Sequence, residues 1–119
     1  MPKWNVEFAE EFGFWWDDLN DGEKEDIRAI VNLLRALGPF LPFPHTSGIS
    51  QSKHGQMREL RIQHKGAPYR ILYAFDPTRT AFLLIGGNKK GDKRWYKKNI
   101  PHADKIFSAH LSSLKKEKK

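Results

Sequence analysis

A group of cations with two aromatic residues among them occupies residues 88–98, and this segment is well suited to holding phosphate. The cations are Lys89, Lys90, Lys93, Arg94, Lys97 and Lys98, and the aromatic residues are Trp95 and Tyr96. A cationic segment of this kind attracts the phosphate backbone of a nucleic acid. It therefore predicts a nucleic-acid partner, although lysines at a turn often serve only solubility, and the two aromatic rings could be core residues.

The charge of the whole chain is +7 and is divided unevenly along the sequence. Residues 1–37 hold four basic and nine acidic residues, whereas residues 38–119 hold seventeen basic and five acidic residues. The two segments therefore carry net charges of −5 and +12. The four lysines at the C-terminal end are too few to explain this excess, so the asymmetry also favours a polyanionic partner.

Several classes of protein are excluded by what the sequence lacks. It has no cysteine, no Walker loop and no H-E-x-x-H motif, and most of its acidic residues lie in the first third of the chain. A carboxylate cluster for two-metal chemistry is therefore hard to assemble, and we expect no metal and no cofactor. A membrane span needs about 18 apolar residues in succession, and no segment approaches this length. The N-terminus also lacks the apolar stretch of a signal peptide, so we expect a cytoplasmic protein.

The elements that must position the cationic segment can be traced from hydrophobic periodicity. Alternation over Trp4–Phe8 predicts a strand, and helical spacing from Phe8 to Leu19 predicts a first helix. Asn20-Asp21-Gly22 provides a break and an N-cap for a second helix, which Gly38 and Pro39 end. Residues 38–56 are predicted to be a long linker, and linkers of that length are uncommon unless they are functional or mobile.

The second half of the sequence predicts a three-stranded antiparallel meander followed by a helix. The strands are predicted over Met57–Gln63, Tyr69–Phe75 and Ala81–Ile85, with Gly86-Gly87 closing the last one. Ala81–Ile85 is continuously apolar, which is typical of a strand covered on both faces. Pro101 is expected in the first turn of the terminal helix. The predicted fold is therefore α+β, with an N-terminal strand and two helices, the meander and a C-terminal helix, in one domain spanning residues 1–119.

This order of elements, with Arg61 on one meander strand and Tyr69–Tyr73 on the next, resembles the RelE/ParE superfamily of bacterial toxins. The segments most similar to its HigB and phage-derived Gp49-like branch are Trp4–Leu19, Leu37–Pro39, Met57–Arg61 and Leu84–Lys90. The similarity covers essentially the whole chain. It implies a toxin that cuts messenger RNA, usually on the ribosome, and that is neutralised by a cognate antitoxin, for which a helix-turn-helix protein of the HigA type is expected.

The resemblance also implies where an active site would lie, on the open face of the sheet and at the start of the last helix. The positions matching the family's active residues are Arg61, Arg70, Lys89 or Lys90, and Tyr96, with Lys90 preferred as catalytic. RelE itself carries a further lysine where this chain has Glu59, so the acid–base assignment stays open. The residues expected to bind RNA are Lys89, Lys93, Arg94, Lys97, Lys98, His54 and His102.

The chemistry implied is attack of a ribose 2′-OH on the adjacent phosphorus, for which cations around the phosphate supply electrostatic stabilisation. Arg61 and Arg70 suit this role because a guanidinium binds phosphate oxygens in a fork and stays charged. Tyr96 is a candidate base if neighbouring cations lower its pKa by about two from the usual value near 10. His54 and His102 are reserve proton carriers because imidazole titrates near neutral pH.

Other interpretations remain open at the level of the sequence. Arg61 and Arg70 could be surface charges of a sheet, with Glu59 paired to one of them. A ParE-like toxin would share the fold but act on DNA gyrase without cutting RNA. A non-catalytic RNA-binding module would use the cationic half of the chain and leave RNA intact.

Overall fold

The computed structural model describes residues 3–117 and contains five strands and three α-helices. Their bounds are β1 Asn5–Phe8, α1 Glu10–Asp17, α2 Asp21–Leu37, β2 Thr46–Gly48, β3 Arg58–His64, β4 Ala67–Phe75, β5 Thr80–Asn88 and α3 Trp95–Glu117, with a short 3₁₀ turn at Gly38–Phe40. None of the helices in this described part is both long and apolar enough to cross a membrane.

All five strands form one mixed sheet in the order β1-β5-β4-β3-β2. β3, β4 and β5 are antiparallel neighbours, as predicted, but β1 pairs parallel to β5 along one edge. At the other edge, β2 pairs with β3 from within the segment predicted to be a linker without secondary structure. The α+β class is confirmed, whereas the isolated three-stranded meander and the unstructured linker are wrong.

The second helix, α2, begins and ends where the sequence predicts. Asn20 Oδ1 accepts the backbone N–H of Glu23 at 2.8 Å, and Glu23 Oε1 accepts the backbone N–H of Asn20 at 2.9 Å, which is a complete capping box. Gly38 ends the helix with a φ of +56°, a conformation that glycine adopts without strain. Ile27 and Leu34 are fully buried on the sheet, so the side of α2 that carries them is its packing face.

Helices cover both faces of the sheet, and side chains alternate between two cores. Tyr69, Ile71 and Tyr73 of β4 face α1 and α2. Leu72 and Ala74 of the same strand face α3 and contribute to the second core. In β5, Ala81 and Leu83 lie in the first core and Leu84 lies in the second, so the prediction that the third meander strand is covered on both faces is confirmed.

Two adjacent glycines in β5 make room for two tryptophans that approach from opposite faces. A Cβ atom at Gly86 would collide with the ring of Trp15 of α1, and a Cβ atom at Gly87 would collide with the indole of Trp95 of α3. Such close approach is a common reason for glycine inside a strand. The prediction that Gly86-Gly87 closes the strand is wrong, because β5 continues to Asn88.

The terminal helix starts earlier than predicted. α3 begins at Trp95, so Pro101 lies inside the helix rather than in its first turn. An interior proline removes one backbone hydrogen bond and is unfavourable by about 3 kcal/mol. Trp95 and Ile100 are buried in the second core, and their burial holds the first turns of the helix in place.

The C-terminal half of α3 is fixed to the β4–β5 turn by a buried carboxylate. Asp76 is 6% exposed and accepts from His110 Nε2 at 2.7 Å, from Thr78 Oγ1 at 2.6 Å and from the Thr78 and Thr80 amides. Burial raises the pKa of Asp76, but the hydrogen bonds from Thr78, His110 and Thr80 outweigh burial and lower the pKa overall.

We expect Asp76→Asn to weaken the dependence of stability on acidic pH. Because the folded-state pKa of Asp76 lies below its unfolded value of about 3.9, the carboxylate stabilises the fold above about pH 4. This contribution is lost as the pH falls through the folded-state pKa. Urea unfolding measures the free energy of unfolding at successively lower pH. This free energy should decline less steeply for Asp76→Asn than for Asp17→Asn, a control at an exposed position of α1. Equal declines in the two variants would contradict the prediction.

Candidate functional site

The antiparallel register of β3 and β4 puts two arginines side by side. Arg61 is the direct partner of Arg70, and Glu59, two residues before Arg61, is the partner of Leu72. Since side chains alternate along a strand, Glu59, Arg61 and Arg70 all lie on the face of the sheet that α3 packs against. Arg61 is one third exposed, whereas Arg70 is almost fully buried.

Glu59 is the centre of the cluster, and both of its carboxylate oxygens are engaged. Oε1 accepts the phenol of Tyr96 at 2.6 Å and lies 3.5 Å from Nε of Arg70. Oε2 accepts the hydroxyl of Ser47 at 2.6 Å and lies 3.3 Å from Nη1 of Arg61. Glu59 is 5% exposed, so this carboxylate holds two cations and a phenol together in a largely dry setting.

Arg70 has an unsatisfied donor in this setting. Its Nη1 donates to the carbonyl of Tyr69 at 2.9 Å, but its Nε makes no hydrogen bond within the described residues, because the contact with Glu59 does not meet hydrogen-bond geometry. A buried donor without an acceptor costs about 1–3 kcal/mol. Unsatisfied donors are often found at functional sites, and a phosphate oxygen is an acceptor that would suit a guanidinium.

The tyrosine of the cluster is held in its protonated form. Burial raises the pKa of Tyr96, and the hydrogen bond to Glu59 raises it further, while the contact with Arg70 lowers it to a smaller extent. Lys89 lies over the ring, with its Nζ 5.5 Å from the centroid. The hypothesis that surrounding cations create a phenolate is therefore wrong, because the carboxylate is the nearer charge.

We expect none of the three tyrosines to ionise near neutral pH. Burial and Glu23 raise the pKa of Tyr69 to about 12, and burial also raises the pKa of Tyr73. An ultraviolet titration should therefore show no phenolate absorbance near pH 7, and Tyr96→Phe should leave the absorbance near pH 7 unchanged. Phenolate absorbance that appears near pH 7 in the wild type and is lost in Tyr96→Phe would contradict this assignment.

Only some of the other predicted cations lie beside this cluster. Lys93 and Lys97 line a cleft next to Tyr96 together with Gln51, Ile100 and Pro101.

Lys98 instead forms an ion pair with Asp92 at 2.8 Å, and the backbone amide of Arg94 is capped by the same carboxylate. Lys90 is exposed and forms no hydrogen bond, ion pair or cation–π contact with the cluster within residues 3–117. Lys89, rather than Lys90, is therefore the cation after β5 that lies at Tyr96.

The two reserve histidines are not brought to the cluster. His54 Nε2 is 2.9 Å from Ser108 Oγ, and the His54 ring packs edge-on against Phe107. Ser108 lies twelve residues after Tyr96, which is about 18 Å along the helix axis. His102 is exposed on α3, and its spacing from Tyr96 turns it to a different side of the helix.

Sequence reasoning assigned no active role to Glu59 and overlooked Ser47. The alternation Glu59-Leu60-Arg61 was a usable signal, because it puts a carboxylate on the same face as the predicted arginine. Ser47 gave no such signal, because its position depends on the pairing of Ser47 with Glu59 between β2 and β3.

The uneven charge along the sequence becomes uneven charge across the sheet. The acidic first third of the chain forms α1 and α2 on one face, and the arginine pair lies on the face of α3. Within residues 3–117, no group of three or more His, Asp or Glu side chains could hold a metal ion. The cluster therefore offers fixed cations, one carboxylate and one phenol for chemistry on a phosphate.

The sequence is similar to proteins that are named as toxins. Residues 14–108 match the family described as Phage derived protein Gp49-like (DUF891). A Mycobacterium tuberculosis protein named as toxin HigB3 is 42% identical over 100 residues, which are 83% of this chain and 86% of that protein. One named as toxin HigB2 is 36% identical over 112 residues, which are 92% of this chain but 56% of that protein.

The fold is similar to that of a solved structure. In the archaeal RelE–RelB complex from Pyrococcus horikoshii OT3, one chain aligns with a TM-score of 0.54, covering 75% of this chain and 97% of that chain at 14% identity. At this identity the likeness concerns the fold alone. The resemblance expected from the order of elements is confirmed by the family match and by the identity to the HigB proteins. The chain belongs to the phage-derived Gp49-like family and is a HigB-like toxin.

Proposed function

We propose that this toxin is a metal-independent endoribonuclease that cuts messenger RNA by attack of a ribose 2′-OH on the adjacent phosphate. The observation that carries the proposal is the convergence of Arg61, Arg70 and Tyr96 on Glu59, on the face of the sheet away from the acidic helices. This set contains what the reaction requires, namely cations for the phosphorane and a pair of groups that can accept and pass on a proton.

In this proposal the two arginines bind the phosphate that is cut. Arg61 is exposed enough to contact the two non-bridging oxygens directly. Arg70 lies beneath it, and the unsatisfied Nε of Arg70 would gain an acceptor when a phosphate arrives. Both guanidinium groups stay charged, so they stabilise the negative charge that grows on the phosphorane in the transition state.

Tyr96 and Glu59 act as a proton relay. As the 2′-oxygen attacks phosphorus, its proton moves to Tyr96 Oη while the phenol proton moves to Glu59 Oε1, 2.6 Å away. The phenol therefore works as a base without first becoming a phenolate, which fits a pKa that burial and Glu59 raise. The bond from phosphorus to the 5′-oxygen breaks, and the leaving oxygen takes a proton from Lys89 or from water. The products are a 2′,3′-cyclic phosphate and a 5′-hydroxyl.

The proposed partners follow the family. We infer a cognate antitoxin, supported by the neighbour in fold whose solved structure is a RelE–RelB complex. The resemblance to the HigB toxins leads us to expect that this antitoxin is a helix-turn-helix protein of the HigA type. We further infer that cutting takes place on messenger RNA associated with the ribosome, in the cytoplasm. A cationic active face without its antitoxin would remain open to RNA.

One observation favours a second candidate, a non-catalytic RNA-binding module. Both oxygens of Glu59 are already occupied by Tyr96, Ser47 and the two arginines, so the cluster could be a structural ion network that binds RNA without cutting it. A ParE-like action on gyrase has no such observation in its favour.

A single assay separates these candidates. The purified protein is incubated with ribosomes and a message in excess chelator, and the ends of the RNA products are mapped. Cuts that leave 2′,3′-cyclic phosphates, and that disappear when a 2′-deoxyribose replaces the ribose at the cut, support the proposal. Binding without cuts would support the second candidate. Gyrase inhibition without cuts would instead support the ParE-like action.

A further inference from the structure

A segment of the β2–β3 connection is fixed to the side of α3 by a buried carboxylate. This segment, residues 50–54, is called the strap. Asp104 of α3 is 6% exposed, and it accepts the hydroxyl of Ser52 and the backbone N–H of Lys53, the latter at 3.0 Å. The strap is fixed a second time where His54 Nε2 meets Ser108 Oγ at 2.9 Å. A buried charge with specific partners fixes the geometry of the strap.

The strap and α3 form the walls of a groove that runs on from the proposed active site. One cleft is lined by Lys93, Tyr96, Lys97 and Ile100, and the adjoining cleft by Lys53, Asp104, Lys105 and Ser108. Gln51 of the strap and Pro101 of α3 line both clefts, so the two clefts adjoin at these side chains. From Tyr96 to Lys105 the groove follows the helix for roughly 13 Å.

The groove is cationic, and its cations are free. Lys53, Lys93, Lys97 and Lys105 form no ion pair within residues 3–117, in contrast to Lys98, which is paired with Asp92. The carboxylate in the groove, Asp104, is turned to the strap and bonded there. Free lysines along a narrow groove that ends at a phosphate site are suited to a single-stranded phosphodiester backbone.

We propose that the groove between the strap and α3 binds the backbone of single-stranded RNA on one side of the phosphate that is cut. Lys53 and Lys105 contact phosphates beyond those reached by Lys93 and Lys97. Asp104 is a positioning residue that holds Lys53 and Gln51 over the groove. The inference rests on the proposed function for the location of the cut phosphate beside Tyr96, but it concerns binding and not the chemical step.

The test measures the affinity for a 2′-O-methylated RNA of about ten nucleotides, which cannot be cut, as a function of salt. Each phosphate contact in a single strand contributes about 0.7 to the slope of log affinity against log salt. We expect Lys53→Gln/Lys105→Gln to reduce that slope by about 1.4. The matched control is Lys115→Gln/Lys116→Gln, which removes the same charge from exposed positions near the end of α3 and should leave the slope nearly unchanged.

Asp104→Asn provides a test with the opposite electrostatic sign. Removing a negative charge from the groove should by itself tighten RNA binding. If the strap positions Lys53, the variant instead binds RNA more weakly than the wild type while its thermal unfolding remains cooperative. Tighter binding in a folded Asp104→Asn variant would show that the strap has no such role.

The outcomes separate this inference from the proposed function. Equal slope changes in the groove and control variants, or no binding of this RNA by the wild type, would overturn the proposal that the groove binds RNA. If the wild type cuts RNA and the groove variants bind normally, the proposed function stands without the groove. If the slope changes as expected but no RNA is cut, the groove stands and the endoribonuclease proposal fails.

Discussion

Replacing Arg70 by alanine is expected to slow RNA cleavage by about 10²–10³-fold, because it removes a fixed cation from beneath the proposed phosphate site. The variant also leaves Glu59 with one fewer cation in a nearly dry setting, so some loss of stability is expected. Arg70→Lys should recover the charge but little of the rate, since an ammonium cannot take the place of a guanidinium fork. Single-turnover cleavage and urea unfolding measure the two effects separately.

The control for charge is Arg28→Ala. Arg28 is an exposed arginine of α2 on the opposite face of the sheet, so its loss changes the net charge equally without touching the cluster. If both variants slow cleavage to the same small extent, Arg70 acts only through the overall charge of the molecule. That result would remove the arginine pair from the mechanism.

Glu59→Gln is expected to move cleavage and RNA affinity in opposite directions. Losing the proton acceptor of Tyr96 should slow cleavage by about 10²–10⁴-fold, the range expected for removing a general base. Losing a negative charge between Arg61 and Arg70 should tighten binding of RNA that cannot be cut. The pKa of Tyr96 should also fall, because the Glu59 charge is one of the causes that raise it.

The chain contains a matched control for this substitution. Glu23 accepts the phenol of Tyr69 at 2.6 Å, the same distance as between Glu59 and Tyr96, but it lies on α2 at the other face of the sheet. Glu23→Gln therefore removes an equal charge from an equivalent carboxylate–tyrosine pair and should leave cleavage intact. Normal cleavage by Glu59→Gln would eliminate the proton relay, whatever the result for binding.

The parts of the fold that the sequence predicts well depend on local patterns. The N-cap at Asn20 and the glycine at Gly38 delimit α2 because both act on the neighbouring backbone. The alternation of apolar and polar side chains predicts β3 and puts Glu59 and Arg61 on one face of it, because this pattern is also local.

The elements that were mispredicted depend on distant contacts. β2 is only three residues long and exists because Thr46 binds the carbonyl of Glu59 at 2.9 Å and the phenol of Tyr73 at 2.8 Å. The start of α3 was misjudged because burial of Trp95 against Gly87 extends the helix ahead of Pro101. No pattern among neighbouring residues in the sequence predicts the contacts of Thr46 or the contact of Trp95 with Gly87.

The pKa of Tyr96 illustrates the limit for the site. Residues 89–98, which surround Tyr96 in the sequence, include six basic residues. Composition alone therefore predicts that the pKa of Tyr96 falls. The nearest charge in space is instead Glu59, 37 positions away in the sequence. Electrostatic effects depend on distance and burial, so neighbours along the chain gave the wrong sign.

The sheet separates the acidic helices α1 and α2 from the basic groove, which gives the molecule an electric dipole perpendicular to the plane of the sheet. In the field of a polyanion such a dipole experiences a torque that turns the face carrying α3 towards the polyanion before contact. Collisions would then begin with the arginine pair already facing the RNA, which shortens the rotational search for a productive orientation. Raising the ionic strength should weaken this alignment, because the field is screened within about 10 Å.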